Sequence, residues 1–233
     1  MEESQWTQMH ACILALEKEG VVTRTFRRLD PERQQAVTDA ILEEAVEKGP
    51  AALNIKHVAR RAGVSVGALY TYFPNREGLL AYVVALGMRH LTDLMAEFRG
   101  YLSELSLRDA LTYYLAGGVE WGKTQMGLMR FFARAAYHGD TALTETLVRP
   151  VADLLRITVF DMLALARSRG EVREDVDLEA TARVLHALLL AVGDAQLLPY
   201  LNTYFQICAP TLSPEQTLQA LVTMVLQGVT KSQ

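Results

Sequence analysis

Cysteine is nearly missing from this sequence, and the little there is excludes two chemistries. Cys12 and Cys208 lie near opposite ends of the 233 residues, with no Cys or His neighbour at metal-ligand spacing. That rules out a disulfide framework and a thiolate metal centre. Both read as buried thiols, and no metal or other cofactor is expected. Also missing are a nucleophile elbow and a phosphate-cradling glycine loop, while His10, His57, His90, His138 and His186 fall on separate elements. No enzyme is expected. Long apolar runs are absent too. The longest stretch without charge, residues 195–214, contains Pro199, Pro210, Asn202 and two glutamines, so it cannot satisfy its own backbone in lipid. The opening Met1-Glu2-Glu3-Ser4 is acidic and lacks the basic and apolar parts of a secretory signal. The expectation is a cytoplasmic protein with no membrane partner.

No segment alternates apolar and polar residues with β-branched enrichment, whereas apolar residues recur every three or four positions almost throughout. The fold class is therefore all-α. Half of the residues are hydrophobic, more than a single core of this size needs, which points to burial against a second subunit or a ligand. A net charge of −4 argues against a nucleic-acid binder, but the distribution reverses that reading. Val21 to Arg76 holds nine Lys or Arg against six acids, a local excess of three positive charges, and leaves seven negative charges in excess on the remainder. A basic head on an acidic body has this asymmetry.

Along the chain, a first helix is predicted over about Gln5 to Glu19, with Trp6, Met9, Ile13 and Leu16 on one face. A basic link follows from Val21 to Leu29. Asp30-Pro31 then starts a helix that Gly49-Pro50 stops, with Val37, Ile41, Leu42 and Ala45 as its buried stripe. Two short helices, about Ile55 to Ala62 and Val66 to Tyr72, flank Gly63-Val64-Ser65. In this stretch Asn54 and Ser65 are helix caps, Gly63 supplies the positive φ of a sharp turn, and Leu69 and Phe73 anchor the second helix from below. The outer face keeps Val66, Gly67, Ala68, Tyr70, Thr71 and Tyr72, which are small or hydrogen-bonding residues suited to close approach to a groove. Further helices are expected from Arg76 or Glu77 to Arg99, Leu107 to Lys123, Gln125 to His138, Thr141 to Arg169 with a bend or split at Pro150, Leu178 to Phe205 with a break at Pro199, and Pro214 to Val229. The expected division is an N-terminal extension helix and basic linker at 1–29, a three-helix, helix-turn-helix DNA-binding domain at 30–76, and a larger helical ligand-binding and dimerisation body at 77–233.

The run Ala62-Gly63-Val64-Ser65-x-Gly67-x-Leu69-Tyr70-x-Tyr72-Phe73-Pro74-Asn75-Arg76-Glu77-x-Leu79-Leu80 closely resembles the DNA-binding region of tetracycline-repressor-type (TetR family) regulators. The resemblance is strong over about Arg33 to Val84. Elsewhere it is weak, although Gly170 to Asp177 looks like the loop that often precedes the dimerisation helices of that family. It implies nine or ten helices, a homodimer on a palindromic double-stranded operator, a small-molecule effector pocket in the body, and transcription regulation, as a repressor, as the function. It also implies that Lys56, Tyr70, Tyr72 and Arg76 grip DNA phosphates while Val66, Gly67, Ala68 and Thr71 face base edges, with Ser65 at the start of the reading helix. Arg24, Arg27 and Arg28 either reach DNA as a basic arm or stay solvated.

In the body, Met and aromatic side chains suited to an adaptable apolar pocket single out Tyr113, Trp121, Met126, Met129, Phe132 and Met162. His186 is the first candidate for orienting a ligand, with Asp194, Arg134 and Gln125 behind it. Val184, Leu188, Leu189, Ala191 and Val192 on one late helix, with Leu218, Leu221, Val222 and Val225 on the next, form the expected two-fold interface.

Overall fold

Most helix starts in this chain are set by a small polar side chain that accepts one of the first orphan amides. Asp30 takes the Arg33 amide (2.9 Å), Asn54 that of Lys56 (2.9 Å), Ser65 that of Ala68 (3.0 Å) and Asn75 that of Gly78 (2.8 Å). The computed structural model describes residues 3–231, with side chains from residue 10 onward. In order, the elements are α1 (Glu3–Lys18), α2 (Arg24–Arg27), α3 (Pro31–Lys48), a 3₁₀ turn (Pro50–Ala52), α4 (Ile55–Arg61), α5 (Val66–Tyr72), α6 (Arg76–Leu102), α7 (Leu107–Thr124) and α8 (Met126–Tyr137). Then come α9 (Thr141–Leu143), a π-helical turn (Thr144–Val148), α10 (Arg149–Ser168), α11 (Leu178–Leu197), α12 (Pro199–Phe205) and α13 (Pro214–Val229). The fold is all α. Among the described residues the single β-type pairing is the bridge between Val172 and Thr230.

Two expectations change in detail. The link from Val21 to Leu29 is not plain coil, because Thr23 caps a four-residue helix in it and Phe26 is fully buried. Pro150 does split its helix, but the break lies just ahead of it. The missing proline N–H and the ring's clash with the preceding turn are absorbed by a wide π-helical turn over Thr144–Val148. Val37, Ile41, Leu42 and Ala45 are all buried, and so are Ile13 and Leu16 of α1. The side chains of Trp6 and Met9 lie outside the described residues. Cys12 is a buried free thiol, and Cys208 is a half-buried one.

The chain folds as two compact units, one made of residues up to Thr92 with Arg130–Pro150, the other of Asp93–Met129 with Val151 onward. In the first, Phe26 of α2, Phe73 just after α5 and Tyr82 of α6 form an aromatic knot with ring centroids 5.1–5.3 Å apart. Thr38 of α3 donates its hydroxyl to Gln34 O (2.8 Å), so the Tyr82 hydroxyl donates to Thr38 (2.9 Å). Burial pushes the Tyr82 phenol well above its ordinary range, and it stays a neutral donor. α6 is long and apolar enough by length and composition to cross a membrane, yet Leu79, Tyr82, Val83 and Leu86 along it are buried in protein.

In the second unit α7, α10, α11 and α13 share an apolar core that includes Leu111, Leu163, Leu185 and Val222. The Gly170 to Asp177 loop is held by charge-assisted bonds. Arg169 donates to Ser103 O (3.0 Å) and Leu105 O (2.6 Å), Glu171 accepts the Leu107 amide (2.7 Å), and Arg167 donates to Val176 O (2.6 Å).

Because Phe26 is the only member of the knot outside α3, α5 and α6 and their flanks, Phe26→Ala should lower the unfolding free energy by about 3–5 kcal/mol. Denaturant titration followed by circular dichroism measures it. A loss below about 1 kcal/mol would show that α2 is not held by the knot.

Candidate nucleic-acid interface

α5 has seven residues, too few for a helix to be stable alone, so its neighbours decide which side faces out. Leu69 is fully buried, and Tyr72 three positions on and Phe73 four positions on share its inward side. Gly67, Tyr70 and Thr71, also spaced by three and four, form the outward side, where Tyr70 is 54% exposed. Val66 and Ala68 are half-buried at the margins. The turn before α5 is made by Gly63 at φ +67°. Gly67 is different. A Cβ there would meet only Ser65 Oγ, at 3.8 Å, so nothing inside the head requires a glycine that costs a helix up to about 1 kcal/mol relative to alanine. Its bare backbone keeps room on the outside.

Tyr72, expected on the DNA-facing side, sits inward. Only 8% exposed, it lies with its ring centroid 5.9 Å from that of Phe26. The helical period explains the difference, because a residue three after the anchor Leu69 cannot share the face of Tyr70 and Thr71. Thr71 turns its hydroxyl back onto Ala68 O (2.7 Å). Arg76, expected on a phosphate, spends donors on the backbone at the 3₁₀ turn, with Nε to Leu53 O (2.7 Å) and Nη2 to Ala51 O. Lys56 is exposed at the start of α4, its amide held by Asn54.

α4 is fixed to α3 by a buried carboxylate that sequence reasoning passed over. Glu44, with 0% exposure, accepts from or pairs with His57 Nδ1 at 3.0 Å and lies 3.5 Å from Arg61 Nε. Arg61 also reaches Glu43 (3.1 Å) and Glu47 (2.5 Å), and its hydrogen bond holds the Glu47 carboxyl below the usual range. Arg27 pairs with Glu17 and Arg33 with Asp30 (3.3 Å). Of the nine cations in this stretch, Arg24, Arg28, Lys48, Lys56, Arg60 and Arg76 are exposed with no ion pair among the described residues, and Arg76 among them is bonded to backbone carbonyls. A glutamate beside the apolar Ile41, Leu42 and Ala45 of α3, ahead of a His and an Arg on the next α-helix, was the available signal for Glu44.

The body candidates are scattered in environment. Tyr113 is exposed and packs at a tilt against Phe98 and Tyr101 (centroids 5.3 and 4.6 Å). Met162 is buried in the apolar core of the second unit. Trp121, Met126 and Met129 are half-buried in the second unit, and Phe132 is half-buried in the first. His186 is half-buried, and its pKa is lowered by burial and then by Arg156. A shallow cleft along α13, bordered by Gln216, Ala220, Thr223 and Met224, contains none of the seven. Sequence reasoning also missed Gln196 of α11, whose side-chain amide is buried with neither its nitrogen nor its oxygen hydrogen-bonded.

The family model for bacterial regulatory proteins of the tetR family matches residues 37–83, the span from α3 into α6. The nucleoid occlusion factor SlmA of Haemophilus influenzae (strain PittGG) is 23% identical over 185 residues, which cover 78% of this chain and 80% of that protein. The HTH-type transcriptional regulator BetI of Yersinia pestis (strain Pestoides F) is 32% identical over 81 residues, 35% of this chain and 39% of that one. The crystal structure of the transcriptional regulator FadR from Bacillus subtilis in complex with stearoyl-CoA superposes with a TM-score of 0.61 over 84% of this chain and 98% of that one, at 15% identity, a likeness of fold alone. With a helix-turn-helix of this geometry under them, residues 37–83 form a DNA-binding region of the kind found in the tetR family of bacterial regulatory proteins.

Proposed function

We propose that this protein is a homodimeric transcriptional repressor that binds a palindromic operator through α4 and α5 and is released by a small apolar or mixed-polarity molecule bound in its body. The observation that supports this best is the outward face of α5, where Gly67, Tyr70 and Thr71 are exposed and Gly67 has no internal reason to be glycine. A bare backbone permits close approach to a groove, Ser65, Val66 and Ala68 border it, and the exposed Lys56 at the start of α4 serves as a phosphate contact. The direct base readout available from such a face is thin, which leaves DNA shape to supply part of the specificity.

Pairing of two copies is supported by apolar residues left over on the late helices. Leu189, Val192, Leu221, Val222 and Val225 are buried within the unit itself, but Val184 and Met224 are 63% and 54% exposed. A two-fold pairing there would cover them, and on a palindromic duplex two reading helices stand about 34–36 Å apart, one turn of DNA, or wider on a longer operator. For the effector, the fold likeness to a protein crystallised with stearoyl-CoA favours a ligand with a long apolar part. Within the second unit, Trp121, Met126 and Met129 are half-buried side chains of the right type, and the unbonded amide of Gln196, with His186, suits a polar end. Such a molecule acts only if it binds the DNA-incompetent state more tightly.

The test is selection of genomic fragments by the purified protein. A shared palindrome whose affinity falls steeply with salt is expected, and the absence of any enriched site overturns the reading. On the selected fragment, Lys56→Ala should flatten the plot of log K against log salt by about 0.9; an unchanged slope removes Lys56 from the phosphate contacts. Arg76→Ala should instead destabilise the head by about 1–2 kcal/mol in urea titration, because Ala51 O and Leu53 O lose a charged donor. Wild-type stability with a flattened salt slope would return Arg76 to the DNA.

A further inference from the structure

With only four residues, α2 does not hold itself in a helical turn, and separate attachments fix it. At its start Thr23 donates its amide to Tyr72 O (3.0 Å) and its hydroxyl to Thr71 O (2.6 Å), and the same hydroxyl accepts the Phe26 amide (3.3 Å). At its end the buried Gln34 of α3 donates Nε2 to Phe26 O and Arg27 O, both at 3.0 Å. Beneath it Phe26 enters the aromatic knot, and to one side Arg27 pairs with Glu17 of α1. The carbonyls of Thr71 and Tyr72 are among the last of α5, which have no acceptor role inside that helix. Thr23 therefore closes the C-terminal end of the reading helix.

At about 100° per residue, Arg24 and Arg28 lie within about 40° of one another, and Phe26 points about 160° away from them. Both arginines are exposed, with no ion pair among the described residues. Arg24 follows Thr23 directly, so its Cα is about 3.8 Å from that of the residue bonded to Thr71. Arg24 is thus anchored beside the C-terminal end of α5, with Arg28 one helical turn further along the chain on the same side of α2.

We infer that α2 is a second DNA-contacting element: Thr23 locks it to the end of the reading helix, and Arg24 and Arg28 bind backbone phosphates flanking the base pairs that α5 faces. The inference rests on the operator-binding reading above. A guanidinium delivers charge and paired donors to phosphate, and on so firmly held a turn it fixes register on the duplex rather than reading sequence. Arg27, the middle cation of the three, is excluded because Glu17 holds it.

The experiment uses the full chain, the selected fragment and a random-sequence duplex, with binding measured over a range of salt. Arg24→Gln with Arg28→Gln should flatten the salt slope on both duplexes by about 1.8, while Arg27→Gln leaves it unchanged. Thr23→Val should weaken binding about three- to tenfold with the wild-type slope, and Thr23→Ser should restore it. If the double variant keeps the wild-type slope while Lys56→Ala flattens it, α2 does not touch DNA and the operator-binding reading stands. If the wild type binds neither duplex, both fall. Thr23→Val binding as tightly as wild type would remove the locking role of Thr23.

Discussion

The aromatic knot of Phe26, Phe73 and Tyr82 is the constraint on which the reading head depends. α5 is too short to be helical by propensity, so its orientation is set by what its inward side touches: Leu69 and Tyr72 from the helix itself, and Phe73 at the point where it stops. Tyr82 brings α6 to that point and, through Thr38, α3 as well. Phe26 brings in the segment ahead of α3. Once these rings are in place, little freedom is left in the direction that Gly67, Tyr70 and Thr71 face, which preorganised recognition requires.

Charge in the head serves two ends, and geometry sorts them. Glu44, Arg61, His57 and their acidic neighbours join α3 to α4, while Arg76 braces the 3₁₀ turn between them. Arg61 and Arg76 are thereby structural. A buried carboxylate is costly to leave unpaired, so the Glu44 cluster specifies one docking of α4 on α3 and with it the crossing angle of the helix-turn-helix. The exposed cations that are left, Arg24, Arg28, Lys48, Lys56 and Arg60, are fewer than the sequence count suggests but belong to the same unit as the reading helix.

The second unit is organised on a different principle. Its core is broad and apolar, its loop from Gly170 to Asp177 is held by arginines on carbonyl oxygens, and the side-chain amide of Gln196 is buried there with both its polar atoms unbonded. Met and aromatic residues were singled out there by type, and type does not separate core from pocket: Met162 is core, Tyr113 lies at the surface, and the rest fall between.

The sequence by itself determined the helices, their caps and the helix-turn-helix, because capping, proline and glycine effects act within a few residues and leave a local signature. Asp30-Pro31, Asn54, Gly63 and Ser65 all do what their types dictate. The inward side of α5 at Leu69 and Phe73 was legible in the same way. What only the tertiary structure decided depends on partners distant in the chain. Tyr72 turns inward because Phe26 waits there, Arg76 and Arg61 are drawn off by carbonyls and carboxylates, and the link before α3 becomes a fixed helical turn because Thr23 meets the end of α5, forty-eight positions away. A residue's type states which bonds it is able to make, and only the packed chain decides which of them are within reach.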